Sequence, residues 1–316
     1  MVSIDEIKTA AKYIKEGKLV AFPTETVYGL GADAFNPVAV AKIFEIKQRP
    51  SFDPLIVHIA DKYDIFKLTI TNDERIFKII DKFWPGPLTL VVPKNKNIPE
   101  IVTSGLPTVG IRMPANEIAL QLIKYSETPI AAPSANKFGR VSPTTALHVK
   151  KHLPNVDYIL NGGKTKIGIE STIIKLTEKG FKILRNGFIT KEDLEKILPY
   201  DTEEILDTKI IAPGMLKSHY SPQKKLIIIN QDNISKINKD KSLLVAYSDK
   251  YINYFTKTIK LSEKEDLIEY ASKMFETLHN LEENNEIEII AVEPVPEKGI
   301  GIAIMERLRK AENYKL

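Results

Sequence analysis

Apolar and polar residues follow one another along the chain in blocks that predict helices and strands in turn. Near the start, Ser3 and Glu6 have the spacing of a capping box, which predicts a first helix. The apolar run 19–22 then predicts a strand, and Pro23 ends it because proline has no N–H to donate to a sheet. Hydroxyls and glycines follow up to Gly31, and this composition predicts a loop at which a ligand comes close to the backbone.

The same patterns divide the rest of the first 198 residues into short elements. Apolar runs bounded by proline, glycine or asparagine predict strands, and an apolar period of 3.6 residues predicts helices. Beyond the first strand, the predicted strands are 54–59, 88–92, 108–114, 129–132, 158–161, 171–175 and 181–184. The predicted helices are 4–15, a helix capped by Asn36 that ends near Lys47, 73–83 with Thr71 or Asn72 as its cap, 117–125, one that starts at Ser142-Pro143, and 192–197.

Strands alternate with helices again in the last third of the chain. Apolar runs at 226–229, 243–246 and 287–292 are separated by the helical patterns 265–281 and 303–310, which predicts a small parallel α/β domain. Residues 199–224 lack such periodicity and are predicted to be a linker or a lid. We therefore expect an α/β protein with a first domain at 1–198, the linker or lid at 199–224, and a second, Rossmann-like domain at 225–316.

Composition excludes several classes of protein and site. The 316 residues are 43% hydrophobic and 27% charged, which is ordinary for a globular protein, and the net charge of +4 permits an anionic ligand without requiring a nucleic-acid surface. The chain has no cysteine, which excludes disulfides, thiolate zinc sites and cysteine nucleophiles. The N-terminus does not resemble a signal peptide and no apolar run approaches the ~20 residues of a membrane span, so we expect a cytoplasmic location.

Polar residues at or just after predicted strand ends are the candidate functional residues. Cations combined with hydroxyl and amide donors suit a ligand that carries phosphate. The residues are Thr26, Lys47, Arg49, His58, Arg112, Ser134, Asn136, Ser142, Thr172 and Arg185. Other interpretations stay open for some of them: Ser142 as a helix cap, His58 as a core histidine, and Arg112 as the partner of a carboxylate.

Known site motifs are absent from the sequence. It has no Walker loop, no serine elbow and no HExxH or comparable ligand cluster, so a tightly held metal is not expected. Residue patterns alone thus indicate an α/β enzyme, or a binding protein, for an anionic ligand.

Several of these stretches together resemble the YrdC-like threonylcarbamoyl-AMP synthases. They occur in the order of that family across roughly residues 5–190, and the segment 212–222 with the residues from Leu226 onward resembles the longer, two-domain members. The stretches are Phe22-Pro23-Thr24-Glu25-Thr26-Val27-Tyr28-Gly29-Leu30, Lys47-x-Arg49-Pro50, Pro54-Leu55-Ile56-Val57-His58, Trp84-Pro85-Gly86-Pro87-Leu88-Thr89, Gly110-Ile111-Arg112-Met113-Pro114, Ala132-Pro133-Ser134-Ala135-Asn136 and Glu170-Ser171-Thr172-Ile173.

The resemblance implies a nucleotidyltransferase that works without a redox cofactor. L-threonine and bicarbonate would form a carbamate that attacks the α-phosphate of ATP, usually with Mg²⁺, to give L-threonylcarbamoyl-AMP and pyrophosphate. A separate transferase would then modify adenosine 37 of tRNAs that read ANN codons, so neither a membrane nor a stable nucleic-acid complex is required. The implied fold is a twisted mixed sheet with a large open cavity on one face.

The resemblance also implies a role for each candidate residue. Lys47 and Arg49 would be catalytic as well as ATP-binding. The other residues that would bind ATP are Asp53, Ser134, Asn136, Ser142, Arg185 and Tyr220, and those that would bind L-threonine are Thr26, His58, Thr108, Arg112, Ala132 and Thr172. Asp53 stands where the family pattern has asparagine, and the acid there would either repel phosphate or help to hold Mg²⁺.

Two other functions remain as alternatives. Some short YrdC-like proteins have a basic cavity that accepts RNA, which would make this chain an RNA-binding or ribosome-assembly module. The large hydrogenase-maturation proteins also contain a YrdC-like domain, but they add zinc-finger cysteines that this sequence lacks. The expected threonine-binding residues favour the synthase.

Overall fold

A computed structural model describes residues 2–203, 212–215 and 219–316 of the chain. Its helices are α1 (Ile4–Lys15), α2 (Pro37–Lys47), α3 (Ile65–Leu68), α4 (Arg75–Phe83), α5 (Glu100–Thr103), α6 (Glu117–Ser126), α7 (Ala146–His152), α8 (Lys191–Glu195), α9 (Leu267–Glu283) and α10 (Ile300–Ala311). Its strands are β1 (Val20–Phe22), β2 (Gly29–Asp33), β3 (Ile56–His58), β4 (Leu88–Pro93), β5 (Thr108–Arg112), β6 (Ile130–Ala131), β7 (Tyr158–Ile159), β8 (Thr172–Leu176), β9 (Phe181–Arg185), β10 (Lys225–Ile228), β11 (Ser242–Ala246), β12 (Thr258–Lys260) and β13 (Ile289–Val292).

The first nine strands form one mixed sheet, as the resemblance implies. Their order across the sheet is β7-β1-β2-β6-β3-β5-β4-β8-β9. Strands β3 and β5 are parallel, and their register places His58 directly opposite Arg112. Because facing residues of neighbouring strands point to the same side of a sheet, this register brings the two side chains together at one sheet end.

The last four strands form a second sheet, which confirms the predicted parallel α/β domain. Its order is β10-β13-β11-β12 and every pairing in it is parallel. Sequence patterns do not predict β12, because two of its three residues are exposed and no apolar alternation marks it.

The two domains share an apolar interface. Val27, Val141 and Ile169 from the first part of the chain belong to the same buried cluster as residues of α9 and α10. The second domain therefore packs against loops of the first domain that also carry the candidates Thr26 and Ser142. Of the predicted segment 199–224, residues 204–211 and 216–218 lie outside the described residues.

The prediction of a loop through Gly31 is wrong, since β2 begins at Gly29. The glycines here serve packing in the sheet. A Cβ on Gly31 would lie 2.7 Å from the Ile130 side chain and 2.8 Å from the ring of Phe22, distances that real contacts do not show. A side chain at this position would therefore require Ile130 and Phe22 to shift.

Two predicted helix starts are also wrong. Helix α7 begins at Ala146, and Thr145 caps it by accepting a hydrogen bond from the backbone N–H of His148. Ser142 is instead fully buried, and its hydroxyl bonds the carboxylate of Glu170. Helix α4 begins at Arg75, so neither residue predicted to cap it lies at its N-terminus.

No helix among residues 2–203, 212–215 and 219–316 is long and apolar enough to cross a membrane.

Candidate functional site

A cavity lies between the ends of the first-sheet strands and the described part of the segment that joins the two domains. It contains about 560 Å³ of empty space, part of it open to solvent. Polar residues of the first domain line it together with Gly214 and Tyr220 of the joining segment.

Arg112 occupies one end of the cavity together with two neighbouring side chains. Its Nη2 lies 2.7 Å from Glu25 Oε1 and donates a hydrogen bond of 3.1 Å to the hydroxyl of Thr26. Its Nε donates to the backbone oxygen of Gly86 at 3.3 Å. Arg112 and Glu25 are both buried, so the guanidinium is held in one orientation with its charge matched by a single carboxylate.

His58 lies beside Arg112 and is uncharged. Burial, followed by the nearby positive charge of Arg112, lowers the pKa of His58 to about 3. The ring meets Phe22 edge-on at 6.1 Å, and its Nδ1 is buried with no hydrogen-bond partner among the described residues. A neutral imidazole with an unused nitrogen offers a hydrogen bond to a ligand without adding a second cation.

Arg49 belongs to a second group of charged lining residues, which we call the second end of the cavity, because Arg185 is the neighbouring cation that acts on it. Its Nη2 lies 2.9 Å from Asp53 Oδ2, its Nε donates to the backbone oxygen of Asp53 at 3.0 Å, and Nη2 also donates to the oxygen of Pro54 at 2.8 Å. Burial raises the pKa of Asp53 against the opposing effect of Arg49. The acid that replaces the expected asparagine therefore lies behind Arg49 and anchors it.

Lys47 lies behind the loop that carries Ser134. Its ammonium group donates to the backbone oxygens of Ser134, at 2.6 Å, and of Asn136. Burial, and then the charge of Arg49, holds the pKa of Lys47 well below its ordinary value. The amide group of Asn136 donates to the backbone oxygens of Lys137 and Arg140, so both side chains fix the shape of this loop.

Arg185 and Glu170 complete the second end. Arg185 donates from Nε to the oxygen of Ser171 at 3.0 Å and from Nη2 to its hydroxyl at 3.1 Å. Glu170 bonds the hydroxyl of Ser142 and lies 3.1 Å from Nε of Arg307, on α10 of the second domain. Burial raises the pKa of Glu170, but Arg307 and Arg185 outweigh it, and the pKa stays below its ordinary value.

Tyr220 both lines the cavity and packs between the domains. Its ring stacks on Phe275 at 5.6 Å, and the guanidinium of Arg307 lies 5.7 Å from the ring centre. The adjacent His219 meets Phe138 edge-on at 5.9 Å. These contacts attach the described end of the joining segment to both domains.

A family model described as telomere recombination matches residues 12–187, and a second, described as the C-terminal domain of threonylcarbamoyl-AMP synthase, matches residues 189–312. A Pyrococcus abyssi protein named threonylcarbamoyl-AMP synthase is 42% identical over 98% of this chain and 95% of its own length. A Bacillus subtilis protein of the same name is 40% identical over 97% of this chain and 92% of its own length.

The chain belongs to the threonylcarbamoyl-AMP synthase family. A crystal structure of P. abyssi Sua5 complexed with L-threonine superposes with a TM-score of 0.89 at 40% identity, covering 98% of this chain and 95% of that one. These relatives carry the name of the synthase and not that of an RNA-binding module, which confirms the expected enzyme class.

Eight of the residues expected from the synthase resemblance line the cavity together. They are Thr26, Arg49, His58, Arg112, Ala132, Ser134, Arg185 and Tyr220. Four more expected residues lie behind this lining. Lys47 and Asn136 fix the loop that carries Ser134, Asp53 pairs with Arg49, and Ser142 bonds Glu170. Their expected contacts with threonine or ATP remain predictions.

Thr108 and Thr172 do not lie at the cavity wall. Thr108 starts β5, four residues and roughly 13 Å along the strand from Arg112, so it is at the other end of the sheet. The hydroxyl of Thr172 donates to the backbone oxygen of Ile189 at 2.7 Å and fastens the start of β8 to the following loop. Thr172 thus makes a structural contact, and the expected contacts of both residues with threonine remain predictions.

Three charged residues of the site were not predicted as such from the sequence. Glu25 neutralises Arg112, and Glu170 joins Ser142 to Arg307 across the domain boundary. Glu25 and Glu170 belong to the stretches that resemble the synthases, and this membership is the sequence signal that could have marked them as site residues. Arg307 lies on the apolar, buried side of α10. Because charged side chains are rarely buried unless paired, this position in the pattern indicates a buried ion pair.

Proposed function

We propose that this chain condenses L-threonine, bicarbonate and ATP into L-threonylcarbamoyl-AMP and pyrophosphate. The observation that carries the proposal is the cavity itself, whose lining combines Arg112, paired with Glu25, with two further arginines, Arg49 and Arg185. The first arrangement suits an amino acid carboxylate, and the second suits a polyphosphate. The P. abyssi relative that was crystallised with L-threonine supports threonine as a substrate.

The proposed reaction requires no enzyme nucleophile. The amine of threonine adds to bicarbonate to form a carbamate with loss of water. A carbamate oxygen then attacks the α-phosphorus of ATP, an O–P bond forms, and the bond to the β-phosphate oxygen breaks as pyrophosphate leaves. Positioning and charge stabilisation are therefore the main contributions asked of the protein.

At the phosphate end, we assign Arg49 and Arg185 to the phosphoryl oxygens. Both are buried and fixed by backbone oxygens, so little reorganisation is needed as charge develops. Mg²⁺ belongs to the proposal only as part of the ATP complex. Among the described lining residues, Glu170 supplies the carboxylate, and it is already paired with Arg307. Asp53, behind the lining, is paired with Arg49. The residues present therefore do not fit a Mg²⁺ ion held by the protein itself.

At the threonine end, we assign Arg112 to the carboxylate of the substrate. Thr26 and Glu25 hold Nη2 of Arg112, and the substrate would approach from the cavity side. His58 stays neutral and would donate or accept a hydrogen bond with the threonine hydroxyl or its carbamate. The assignment rests on chemical fit together with the position of these residues.

The product would pass to a separate transferase that completes threonylcarbamoyladenosine on tRNA. We propose that the chain itself needs no stable complex with nucleic acid, and that it acts in the cytoplasm where ATP and tRNA are available. Bicarbonate would be the source of the carbamoyl carbon.

The experiment that tests this function combines the purified chain with ATP, L-threonine and ¹³C-bicarbonate. We expect pyrophosphate release and a product that carries one ¹³C and hydrolyses to AMP. Omitting threonine or bicarbonate should each abolish release. Pyrophosphate release that does not depend on threonine would overturn the proposal, as would ¹³C missing from the product.

A further inference from the structure

Three of the five histidines of the chain meet where the two domains touch. His148 and His152 are one turn apart on α7, and His279 faces them from α9 of the second domain. The rings of His148 and His279 stack at 3.9 Å, and the ring of His152 meets that of His279 at 5.2 Å. This cluster lies outside the cavity and has no part in the proposed reaction.

The hydrogen bonding of His279 leaves one ring nitrogen available. Its Nε2 lies 3.1 Å from the backbone oxygen of Ser142, and since a carbonyl can only accept, Nε2 carries the proton. The other nitrogen, Nδ1, is therefore an acceptor, and it is buried without a partner among the described residues. Metal-bound histidines have this same arrangement, with the second ring N–H donated to a carbonyl or carboxylate.

A second unused nitrogen and a carboxylate lie close to it. Nε2 of His152 is also buried with no partner among the described residues, and the side chains of His152 and His279 are 93% and 98% buried. Glu282 follows His279 by three residues on α9, so both project from the same side of the helix. One potential ligand atom from each of the three residues lies within 4.8 Å of the others.

The surrounding charges are compatible with a cation at this point. Lys151 is paired with Glu283 at 2.8 Å, and Lys164 is paired with Glu276. Burial lowers the pKa of His152 to about 4 and that of His279 to about 2, so both rings are neutral near pH 7 and free to act as ligands. Lys47 and Arg140 also act on His152, and Lys47 has its own pKa lowered by burial.

We propose that His152, His279 and Glu282 form a binding site for a divalent transition-metal ion of the Zn²⁺ type, joining the two domains. Two imidazoles and one carboxylate are a donor set that such ions favour, with water as a further ligand. Ligands of a tetrahedral Zn²⁺ lie roughly 3.4 Å apart, so the three side chains move closer together on binding. The ion thereby fastens α7 to α9 behind the loop that carries Ser142.

The test uses the full chain, stripped of metal with a chelator and kept free of ATP. Titration with Co²⁺ is followed by the visible absorption of the bound ion, and Zn²⁺ is then added as a competitor. We expect one equivalent of Co²⁺ to bind, Zn²⁺ to displace it, and the unfolding temperature to rise with Zn²⁺ concentration. His152→Asn and Glu282→Gln should each weaken Co²⁺ binding at least tenfold.

Glu283→Gln is the matched control, because it removes a neighbouring carboxylate of the same helix that is used by Lys151. It should leave the affinity and the absorption spectrum unchanged. Glu282 is only half-buried, so its variant keeps the test valid if His152→Asn fails to fold. Failure of the wild-type chain to bind Co²⁺, or equal binding by wild type and both ligand variants, overturns the proposal. Neither result depends on the synthase reaction.

Discussion

The two ends of the cavity differ in how their cations are neutralised. Arg112 has one buried carboxylate, Glu25, within 2.7 Å, so that end carries no excess charge. At the other end Arg49 is matched by Asp53, whereas the hydrogen bonds of Arg185 among the described residues go to neutral backbone and hydroxyl oxygens. Glu170 acts on Arg185 electrostatically but is paired with Arg307.

This difference corresponds to the charges of the proposed substrates. A single carboxylate is bound by one guanidinium held in a fixed orientation, whereas a triphosphate needs positive charge in excess. A protein can supply that excess only where burial and backbone oxygens hold unneutralised cations in place. The comparison therefore predicts that substitutions at the two ends affect different substrates.

Replacement of Arg49 is expected to have the largest effect. Arg49→Ala should lower the rate of pyrophosphate release by about 10²- to 10³-fold, because a fixed charged donor to a phosphoryl group contributes roughly 3–4 kcal/mol to the transition state. Arg75→Ala is the matched control, since Arg75 pairs with Asp73 at the surface away from the cavity. Near-normal pyrophosphate release by a folded Arg49→Ala protein would show that Arg49 does not contact the phosphoryl oxygens.

Arg112→Lys should weaken threonine binding selectively. Lysine keeps the charge but loses the planar fork, so we expect the threonine KM to rise about 10- to 100-fold, as for the loss of a charge-assisted hydrogen bond of roughly 1.5–3 kcal/mol. The affinity for ATP, measured by calorimetry without threonine, should stay within about twofold. Weakened ATP binding with unchanged threonine KM would reverse the assignment of the two ends.

Acid should destabilise the fold through its buried histidines. The pKa of His58 is lowered to about 3 in the folded chain and is about 6.5 when unfolded, so below pH 6.5 the unfolded chain takes up a proton that the folded chain excludes. The free energy of unfolding is highest above about pH 6.5 and decreases as the pH falls toward 3. At pH 5, His58 alone should lower it by about 2 kcal/mol.

Urea unfolding of wild type and His58→Gln at pH 7 and pH 5 measures this effect. The difference between the two pH values should shrink in the variant by about the amount that His58 contributes. An identical pH dependence in both proteins would mean that His58 is exposed or protonated in the folded state. Between pH 7 and pH 8 the stability contribution of His58 should not change.

Asp53→Asn is expected to give the smallest effect and to sharpen the description of the phosphate end. Asparagine retains an oxygen for Arg49, so the ATP KM should change by less than about fivefold, the worth of one ordinary hydrogen bond. Asp53→Ala, which leaves Arg49 buried without that partner, should be clearly more damaging. An Asp53→Asn protein that recovers activity only with excess Mg²⁺ would show that this acid holds the ion.

Much of the fold follows from local patterns in the sequence. The capping box at Ser3 and Glu6 and the cap at Asn36 form as expected, because these interactions involve residues three or fewer positions apart. The strands predicted at 171–175 and 181–184 and the parallel second sheet are likewise confirmed. The gathering of Thr26, Arg49, His58 and Arg112 in one cavity agrees with the rule that ligands bind at strand ends.

Only the tertiary structure decided which charges meet. Ser142 has the local sequence of a helix cap, yet its hydroxyl bonds Glu170, and that carboxylate pairs with Arg307, which is 137 positions further along the chain. Thr108 shares a strand with Arg112 but lies at its far end. Local sequence fixes hydrogen bonds between near neighbours, whereas the pairing of buried charges depends on strand order and on domain packing, which no local pattern encodes.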